Sequence, residues 1–148
     1  MRSSARDFFS AQEQAEISRA VMDAELDTSG EVRVHIETSC IGSVLDRAAF
    51  LFKQLGMTKT HLRNGVLIYL SVRDRKFAII GDHGIHHVVP EDFWDHIKED
   101  AIQLFKEGQF KDGLIRAITE TGKHLKKHFP YRNNDVNELP DEISFGKE

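Results

Sequence analysis

Hydrophobic and polar positions alternate along the chain with two periods, one typical of helices and the other of strands. Apolar residues spaced three and four apart predict amphipathic helices, whereas alternation with a period of two, or a short apolar run, predicts strands. The predicted helices cover about residues 11–26, 44–55, 91–107 and 111–128, and the predicted strands cover 31–37, 66–70 and 77–80. In the first strand the apolar residues are expected to face a core, and Arg33, His35 and Glu37 to face outward.

The order of these elements predicts the fold class. A helix separates the first two strands, which favours a right-handed parallel crossover with helices on both faces of the sheet. Only a short polar break separates the second strand from the third, which favours an antiparallel hairpin. Together these features predict an α/β fold in which helices cover a small mixed sheet.

The length and charge of the chain indicate one domain followed by an acidic tail. A chain of 148 residues is long enough for a single domain with its own core. The net charge of −4 excludes a protein that binds nucleic acid through bulk positive charge. Residues 130–148 contain five acidic and two basic residues, and we expect them to form a flexible tail. Within this tail, Ile143 and Phe145 are predicted to dock on a partner or a neighbouring subunit.

The sequence gives no sign of export or of a membrane span. Its longest strongly apolar run, residues 66–70, is far shorter than the roughly twenty residues that span a bilayer. No apolar stretch of signal-peptide length follows the N-terminus, and the one cysteine, Cys40, cannot form an internal disulfide. We therefore expect a cytoplasmic protein, monomeric or weakly homo-oligomeric, with a protein partner and no nucleic acid.

The usual catalytic motifs do not occur in this sequence. It has no glycine-rich phosphate loop and no serine in a nucleophile motif. Cys40 follows the first strand, where α/β ligand sites often lie, but a small, partly buried residue is the favoured interpretation because no activating neighbour is identified. Two sets of histidines have spacings that suit a metal, but solvated or capping histidines are favoured because neither set has the four ligands of structural zinc. These sets are His83, His86 and His87, and His124 and His128.

Oxygen ligands meet at one corner of the predicted hairpin. Asp82 ends one strand beside Asn64 at the start of the other, and their oxygens are the type of ligand that Ca²⁺ or Mg²⁺ prefers. Arg63 lies in the same corner, where its guanidinium could pair with Asp82 in place of a cation. A cation site and a simple turn remain open alternatives. Asp74, at the opposite end, is a weaker candidate because an exposed hairpin tip is the favoured interpretation there.

Several segments together resemble the TPM domain over roughly residues 8–128. The segments that carry this resemblance are the first helix, residues 29–34, 64–70, 74–76, 80–85 and 89–94, and the last helix with Phe110, Gly113 and Ile118. The resemblance implies a three-layer α/β/α sandwich, with a mixed sheet of about four strands, over residues 8–129. A fourth strand is then expected near Val88–Val89.

The resemblance also implies a range of functions. TPM proteins look like accessory factors of membrane complexes, as in photosystem repair or receptor trafficking, and some are described as acid phosphatases that bind calcium through aspartates. By this resemblance Ca²⁺ or Mg²⁺ would be held by Asn64 and Asp82, with Asp74 as a weaker ligand.

The chain departs from the family pattern in ways that shape the expected function. Arg63 replaces the usual acidic residue, and the export signal and the following membrane segment or Gly-rich tail are absent, so the chain resembles the short, cytoplasmic bacterial branch. We expect a non-catalytic accessory or interaction module. The alternative is a weak acid phosphatase that depends on a divalent metal held by Asp82 and Asn64.

Overall fold

The computed structural model describes residues 4–90, 92–131 and 143–146. The elements, in chain order, are α1 (Ala5–Phe8), α2 (Ala11–Glu25), β1 (Glu31–Glu37), α3 (Val44–Gln54), a 3₁₀ turn (Met57–Lys59), β2 (Gly65–Ser71), β3 (Lys76–Gly81), α4 (His83–His86), α5 (Phe93–Lys106), α6 (Phe110–His128) and β4 (Ser144–Phe145). The four helices and three strands that the periodicity predicts are confirmed to within two residues. Residue 91, the predicted start of α5, lies outside the described residues.

Local chemistry determines where the helices begin and end. At the start of α2, the Ser10 hydroxyl accepts a hydrogen bond from Glu13 N at 3.1 Å, and the Glu13 carboxylate accepts one from Ser10 N at 2.9 Å. These two bonds form a capping box, which satisfies two backbone donors at the helix start. Beyond the end of α3, Gly56 has a φ of +74°, a left-handed conformation that glycine adopts without a steric penalty.

The four strands form one mixed sheet in the order β3-β2-β1-β4. β1 runs parallel to β2, with Val34 opposite Ile68, and β3 runs antiparallel to β2. Both relationships confirm the predicted crossover and hairpin. Because β1 and β2 occupy the middle of the sheet, both edges of each of these strands are paired with a neighbouring strand.

The predicted position of the fourth strand is wrong. The structure forms this strand from Ser144–Phe145, which pair with β1 in parallel, and not from Val88–Val89. After β3 the chain turns into α4, because the Asp82 carboxylate caps that helix by accepting from His83 N at 2.7 Å. The chain therefore leaves the sheet before Val88 is reached.

Helices cover the two faces of the sheet unequally. One face packs against α2, α5 and α6, and the other packs against α3, so the three-layer arrangement is confirmed. The larger core cluster includes Ile17, Val21, Ile68, Ile97, Leu114 and Ile118, and the smaller one includes Leu51, Phe52, Leu67 and Tyr69. Among the described helices, none combines the length and apolar composition needed to cross a membrane.

Two polar residues of β1 lie inside the protein. His35 and Glu37 are only 3% and 5% exposed, so the prediction that they face outward is wrong. Their face of the sheet is covered because α3 packs over the neighbouring strands and β4 extends the sheet beyond β1. The face of β1 that carries His35 and Glu37 is consequently buried and not solvated, and we call this group of residues the polar centre of the domain.

Residues 143–146 of the tail dock on the sheet. Gly146 N donates a hydrogen bond to Ile36 O at 3.0 Å. Ile143 and Phe145 pack against the chain's own core, where the sequence predicted contact with a partner or a second subunit. Most of the remaining tail lies outside the described residues, where its flexibility stays a prediction.

Candidate functional site

A buried carboxylate, Glu37, lies at the end of β1 on the α3 face. Its Oε1 accepts hydrogen bonds from Arg47 Nε at 2.9 Å and from the Tyr69 hydroxyl at 2.6 Å, and its Oε2 accepts from Arg47 Nη2 at 2.6 Å. Arg47 comes from the first turn of α3, and Tyr69 comes from β2 beside β1. The bidentate contact with a guanidinium and the third donor together compensate the cost of burying this charge.

This network fixes the protonation of its members. Burial opposes the charge on Glu37, but hydrogen bonds from Arg47 and Tyr69 outweigh that effect and hold the pKa of Glu37 below its ordinary value. Burial and the hydrogen bond to Glu37 raise the pKa of the Tyr69 hydroxyl, which therefore keeps its proton. A carboxylate with a lowered pKa is a weak general base, so the arrangement suits a structural role of Glu37 better than proton transfer.

His35 joins the same network from β1. Its Nδ1 lies 2.7 Å from the Ser144 hydroxyl, and its Nε2 lies 3.4 Å from Glu37 Oε2. Burial lowers the pKa of His35, so the neutral imidazole is favoured. Assigning the proton to Nε2 places a donor toward Glu37 and lets Nδ1 accept from Ser144. His35 therefore connects the docked tail to the Glu37 carboxylate.

Beside this network lies an open cleft of about 610 Å³, which we call the α3 cleft. Its lining includes Glu37, Arg47, Ile41 and Phe50. Ile41 is 99% exposed and Phe50 is 55% exposed, and the Arg47 guanidinium lies 5.4 Å from the centre of the Phe50 ring. The cleft opens at the carboxyl end of β1, the edge at which open α/β sheets usually bind ligands.

The loop that carries Ile41 is held by the hairpin between β2 and β3. The Asp74 carboxylate accepts hydrogen bonds from Cys40 N at 2.9 Å and from the Ser71 hydroxyl. Lys76 Nζ donates to the backbone carbonyls of Cys40 and Gly42, each at 2.8 Å. Burial opposes ionisation of Asp74, but the donors from Ser71 and Cys40 lower its pKa. Asp74 therefore anchors the loop of the α3 cleft, and Cys40 is a buried thiol, as favoured from the sequence.

At the other end of the hairpin, the Arg63 guanidinium pairs with the Asp82 carboxylate. Arg63 Nε lies 2.8 Å from Asp82 Oδ2, and Arg63 Nη2 lies 3.0 Å from Oδ1. This contact raises the pKa of Arg63 through the hydrogen bond to Asp82. The cation that the sequence offered as a substitute for a metal thus pairs with both carboxylate oxygens.

The other two predicted metal ligands have contacts of their own. Asn64 is 1% exposed, and its Nδ2 lies 3.4 Å from the Ser29 hydroxyl. Asp74 lies at the opposite end of the β2–β3 hairpin, with the partners described above. Within the described residues, no group of three or more His, Cys, Asp or Glu side chains converges on a point that could hold a metal. The Ca²⁺ or Mg²⁺ site stays a prediction.

Sequence reasoning missed the buried network of Glu37, Arg47, Tyr69 and His35. The available signal was a tyrosine within an otherwise apolar strand, since a buried hydroxyl needs a hydrogen-bond partner. That signal does not identify the partner, because Tyr69 and Glu37 are separated by 32 residues along the chain.

These elements define a small three-layer α/β/α domain whose polar centre lies at the carboxyl end of a parallel strand. The family model of the TPM domain matches residues 3–124, and the chain belongs to the TPM domain family.

Solved structures with the same fold include one with high sequence similarity. The NMR structure of the BA42 protein from the psychrophilic bacterium Bizionia argentinensis is 46% identical, with a TM-score of 0.89, over 97% of this chain and 99% of that one. The N-terminal domain of a protein from P. gingivalis is 18% identical over 84% of this chain and 83% of that one, with a TM-score of 0.69. The N-terminal domain of the cg2496 protein from Corynebacterium glutamicum is 13% identical over 88% and 81%, with a TM-score of 0.65. The last two show the fold alone, and a comparison with curated proteins found no significant match.

Proposed function

We propose that this TPM domain is a non-catalytic interaction module of the cytoplasm that binds a protein partner at the α3 cleft. The observation that carries the proposal is the exposure of Ile41 and Phe50 on the lining of one cleft. Large apolar side chains that are exposed together mark interaction sites more often than isolated ones do. Arg47 contributes a guanidinium beside the Phe50 ring, and aromatic residues, phenylalanine included, and arginine are enriched at protein interfaces.

The rigidity of the Ile41 loop supports this proposal. Asp74 and Lys76 hold the backbone on both sides of Ile41 through contacts with Cys40 and Gly42. An exposed side chain on an ordered loop loses little conformational freedom when it binds, so more of its contact energy appears as affinity. The isoleucine side chain carries no polar group whose desolvation would cost free energy, so its burial against a partner is favourable.

Three carboxylates already have hydrogen-bond partners within the protein, and this supports a non-catalytic role over a hydrolytic one. Glu37 is held by Arg47 and Tyr69, Asp82 is held by Arg63, and Asp74 binds the backbone of Cys40. A phosphatase that used Ca²⁺ or Mg²⁺ would need Asp82 and Asn64 to release these contacts and to bind the ion. No observation favours that alternative, and the experiment below includes a measurement that detects it.

The experiment compares two double variants with the wild-type protein. Ile41→Ser with Phe50→Ser alters the α3 cleft, and Met22→Ser with Leu26→Ser is the matched control at 49% and 61% exposure on the other side of the sheet. Each protein is immobilised and incubated with cytoplasmic extract of the source cells, and captured proteins are quantified by mass spectrometry. We expect a partner that the wild type and the control retain equally and that the cleft variant loses by at least about tenfold, the equivalent of 1.4 kcal/mol.

Two results would contradict the proposal. If every captured protein is retained equally by the cleft variant and the control, the α3 cleft is not the binding surface. If the wild type hydrolyses an aryl phosphate with Mg²⁺ or Ca²⁺, and Asp82→Asn abolishes that turnover, the phosphatase alternative is correct. The unfolding midpoints of all variants are measured first, so that loss of binding is separated from loss of folding.

A further inference from the structure

Two of the histidines near α4 converge on one point at the surface. Nε2 of His83 and Nε2 of His87 are 2.9 Å apart, their ring centroids are 4.4 Å apart, and the rings are nearly perpendicular at 85°. Both residues are exposed. His83 is the first residue of α4 and His87 directly follows its last, which places them one helical turn apart.

The separation of the two nitrogens fits bidentate binding of a metal. A nitrogen–metal bond is about 2.0–2.1 Å long, so two such bonds at a right angle place their nitrogens roughly 2.9 Å apart. Right angles between neighbouring ligands are the rule in square-planar and octahedral coordination, which Cu²⁺ and Ni²⁺ adopt with nitrogen ligands. A hydrogen bond between the imidazoles also fits this distance, and the experiment below separates the two cases.

The backbone that carries the pair is fixed by contacts on its buried side. The Asp82 carboxylate accepts from His83 N at 2.7 Å and is itself held by Arg63. Gly84 N donates to Arg63 O at 2.8 Å, and a Cβ on Gly84 would lie 2.3 Å from Leu62 O, so α4 lies directly on this loop. The two imidazoles are therefore presented together without the cost of ordering a flexible segment.

Another histidine pair with the same spacing lacks this geometry. His124 and His128 are four residues apart on α6, but the His124 ring packs edge-on against Phe93, with centroids 4.6 Å apart. The His124 ring therefore lies against an apolar side chain, and burial lowers the pKa of His124. Spacing alone thus does not distinguish the two pairs, whereas the orientation of the rings does.

The geometry points to a transition-metal site formed by His83 and His87, with Cu²⁺ preferred over Ni²⁺ and water completing the coordination. Imidazole nitrogen suits these ions, and their affinity for nitrogen ligands follows the order Ni²⁺ below Cu²⁺. Ca²⁺ and Mg²⁺ prefer oxygen ligands, so this site is separate from the one predicted at Asp82. The inference is also independent of the function proposed for the α3 cleft.

The test is a titration of the whole chain with Cu²⁺, followed by calorimetry and by amide NMR signals. The variants are His83→Ala and His87→Ala, and the matched controls are His86→Ala in the same segment and His128→Ala in the other pair. We expect one equivalent of Cu²⁺ to broaden the signals of residues 81–88 first. Either variant of the pair should weaken binding by at least about tenfold, because the second imidazole acts as an intramolecular ligand. The two controls should retain the wild-type affinity.

Other outcomes would overturn the inference. Equal affinity in His83→Ala and the wild type would leave only a hydrogen bond between the imidazoles, as would first broadening around residues 124–128. An equal loss in His86→Ala would contradict a two-histidine site. Excess Ca²⁺ is added in a separate titration, and displacement of Cu²⁺ by it would show that the ion is bound by oxygens and not by the pair. Circular dichroism of each metal-free variant establishes that it folds.

Discussion

Removal of one hydroxyl from the buried network tests whether Glu37 is stabilised as its contacts indicate. Tyr69→Phe keeps the ring, which is fully buried, and deletes the donor that lies 2.6 Å from Glu37 Oε1. A hydrogen bond to a charged group contributes about 1.5–3 kcal/mol, so we expect the free energy of unfolding to fall by about 2 kcal/mol. For a chain of this length that loss lowers the melting temperature by roughly 4–8 °C.

The assay uses a matched tyrosine and the single tryptophan of the chain. Tyr131 is the only other tyrosine and is 54% exposed, so Tyr131→Phe should change stability by less than about 0.5 kcal/mol. Urea unfolding of both variants is followed by the fluorescence of Trp94, which packs against the larger core cluster. Equal midpoints for the two variants would refute the assignment of Tyr69 as a stabilising donor.

The pH dependence of this difference provides a second check. The pKa of Glu37 is lower in the folded protein than its ordinary value of 4.5, so its contribution to stability is complete above about pH 4.5 and is lost as the pH falls through the folded-state pKa. Protonation removes the charge that strengthens the Tyr69 hydrogen bond. The destabilisation by Tyr69→Phe should therefore be smaller in acid than at pH 7. A difference that stays constant with pH would show that the hydroxyl acts independently of the carboxylate.

Three further predictions concern other contacts. Because burial lowers the pKa of His35 below 6.5, wild-type stability should fall as the pH drops below about 6.5, and His35→Asn should lose less between pH 7 and pH 5 in urea unfolding. Arg63→Asp should replace the cation beside Asp82 with a second carboxylate and raise Ca²⁺ affinity in calorimetry; unchanged affinity would count against a cation site in this corner. Gly122→Ala should destabilise the protein by about 1–3 kcal/mol in thermal unfolding, because its Cβ would lie 2.7 Å from Ala24 Cβ, and a stability gain would contradict that overlap.

Local patterns predicted β1 well but not its second face. The alternation of apolar residues in 31–37 gave the strand and the side that faces the larger core. Alternation does not say whether the opposite side is covered, because that depends on elements distant in sequence. Here α3 and β4 provide the cover, and this is why His35 and Glu37 are buried.

The fourth strand was predicted at the wrong position because a strand of two residues is too short to show an alternation of polar and apolar residues. Ser144–Phe145 lie in a polar tail, and their extended conformation comes from pairing with β1, not from local preference. Val88–Val89 carry two adjacent β-branched residues, which favour a strand locally, but α4 turns the chain away first.

The Arg63–Asp82 pair and the Glu37 network likewise differ in how far local sequence could predict them. Contact between Arg63 and Asp82 was accessible from the sequence because the hairpin register brings the two ends of its strands together, with Val66 opposite Gly81. The network around Glu37 depends on the crossover through α3 and on the parallel register of β1 with β2. Those two features require the assembled fold.

The pairing of β4 with β1 has a consequence for the order in which the protein is made. His35 and Ser144 are 109 residues apart, so β1 leaves the ribosome long before its outer neighbour is synthesised. Until residues 144–145 are synthesised, the outer edge of β1 is unpaired in the nascent domain, and the Glu37 carboxylate lies beside that edge. Such an edge can pair with the strands of other chains. Synthesis is therefore the interval in which this fold is most exposed to aggregation, and a chain that ends before Ser144 keeps that exposure permanently.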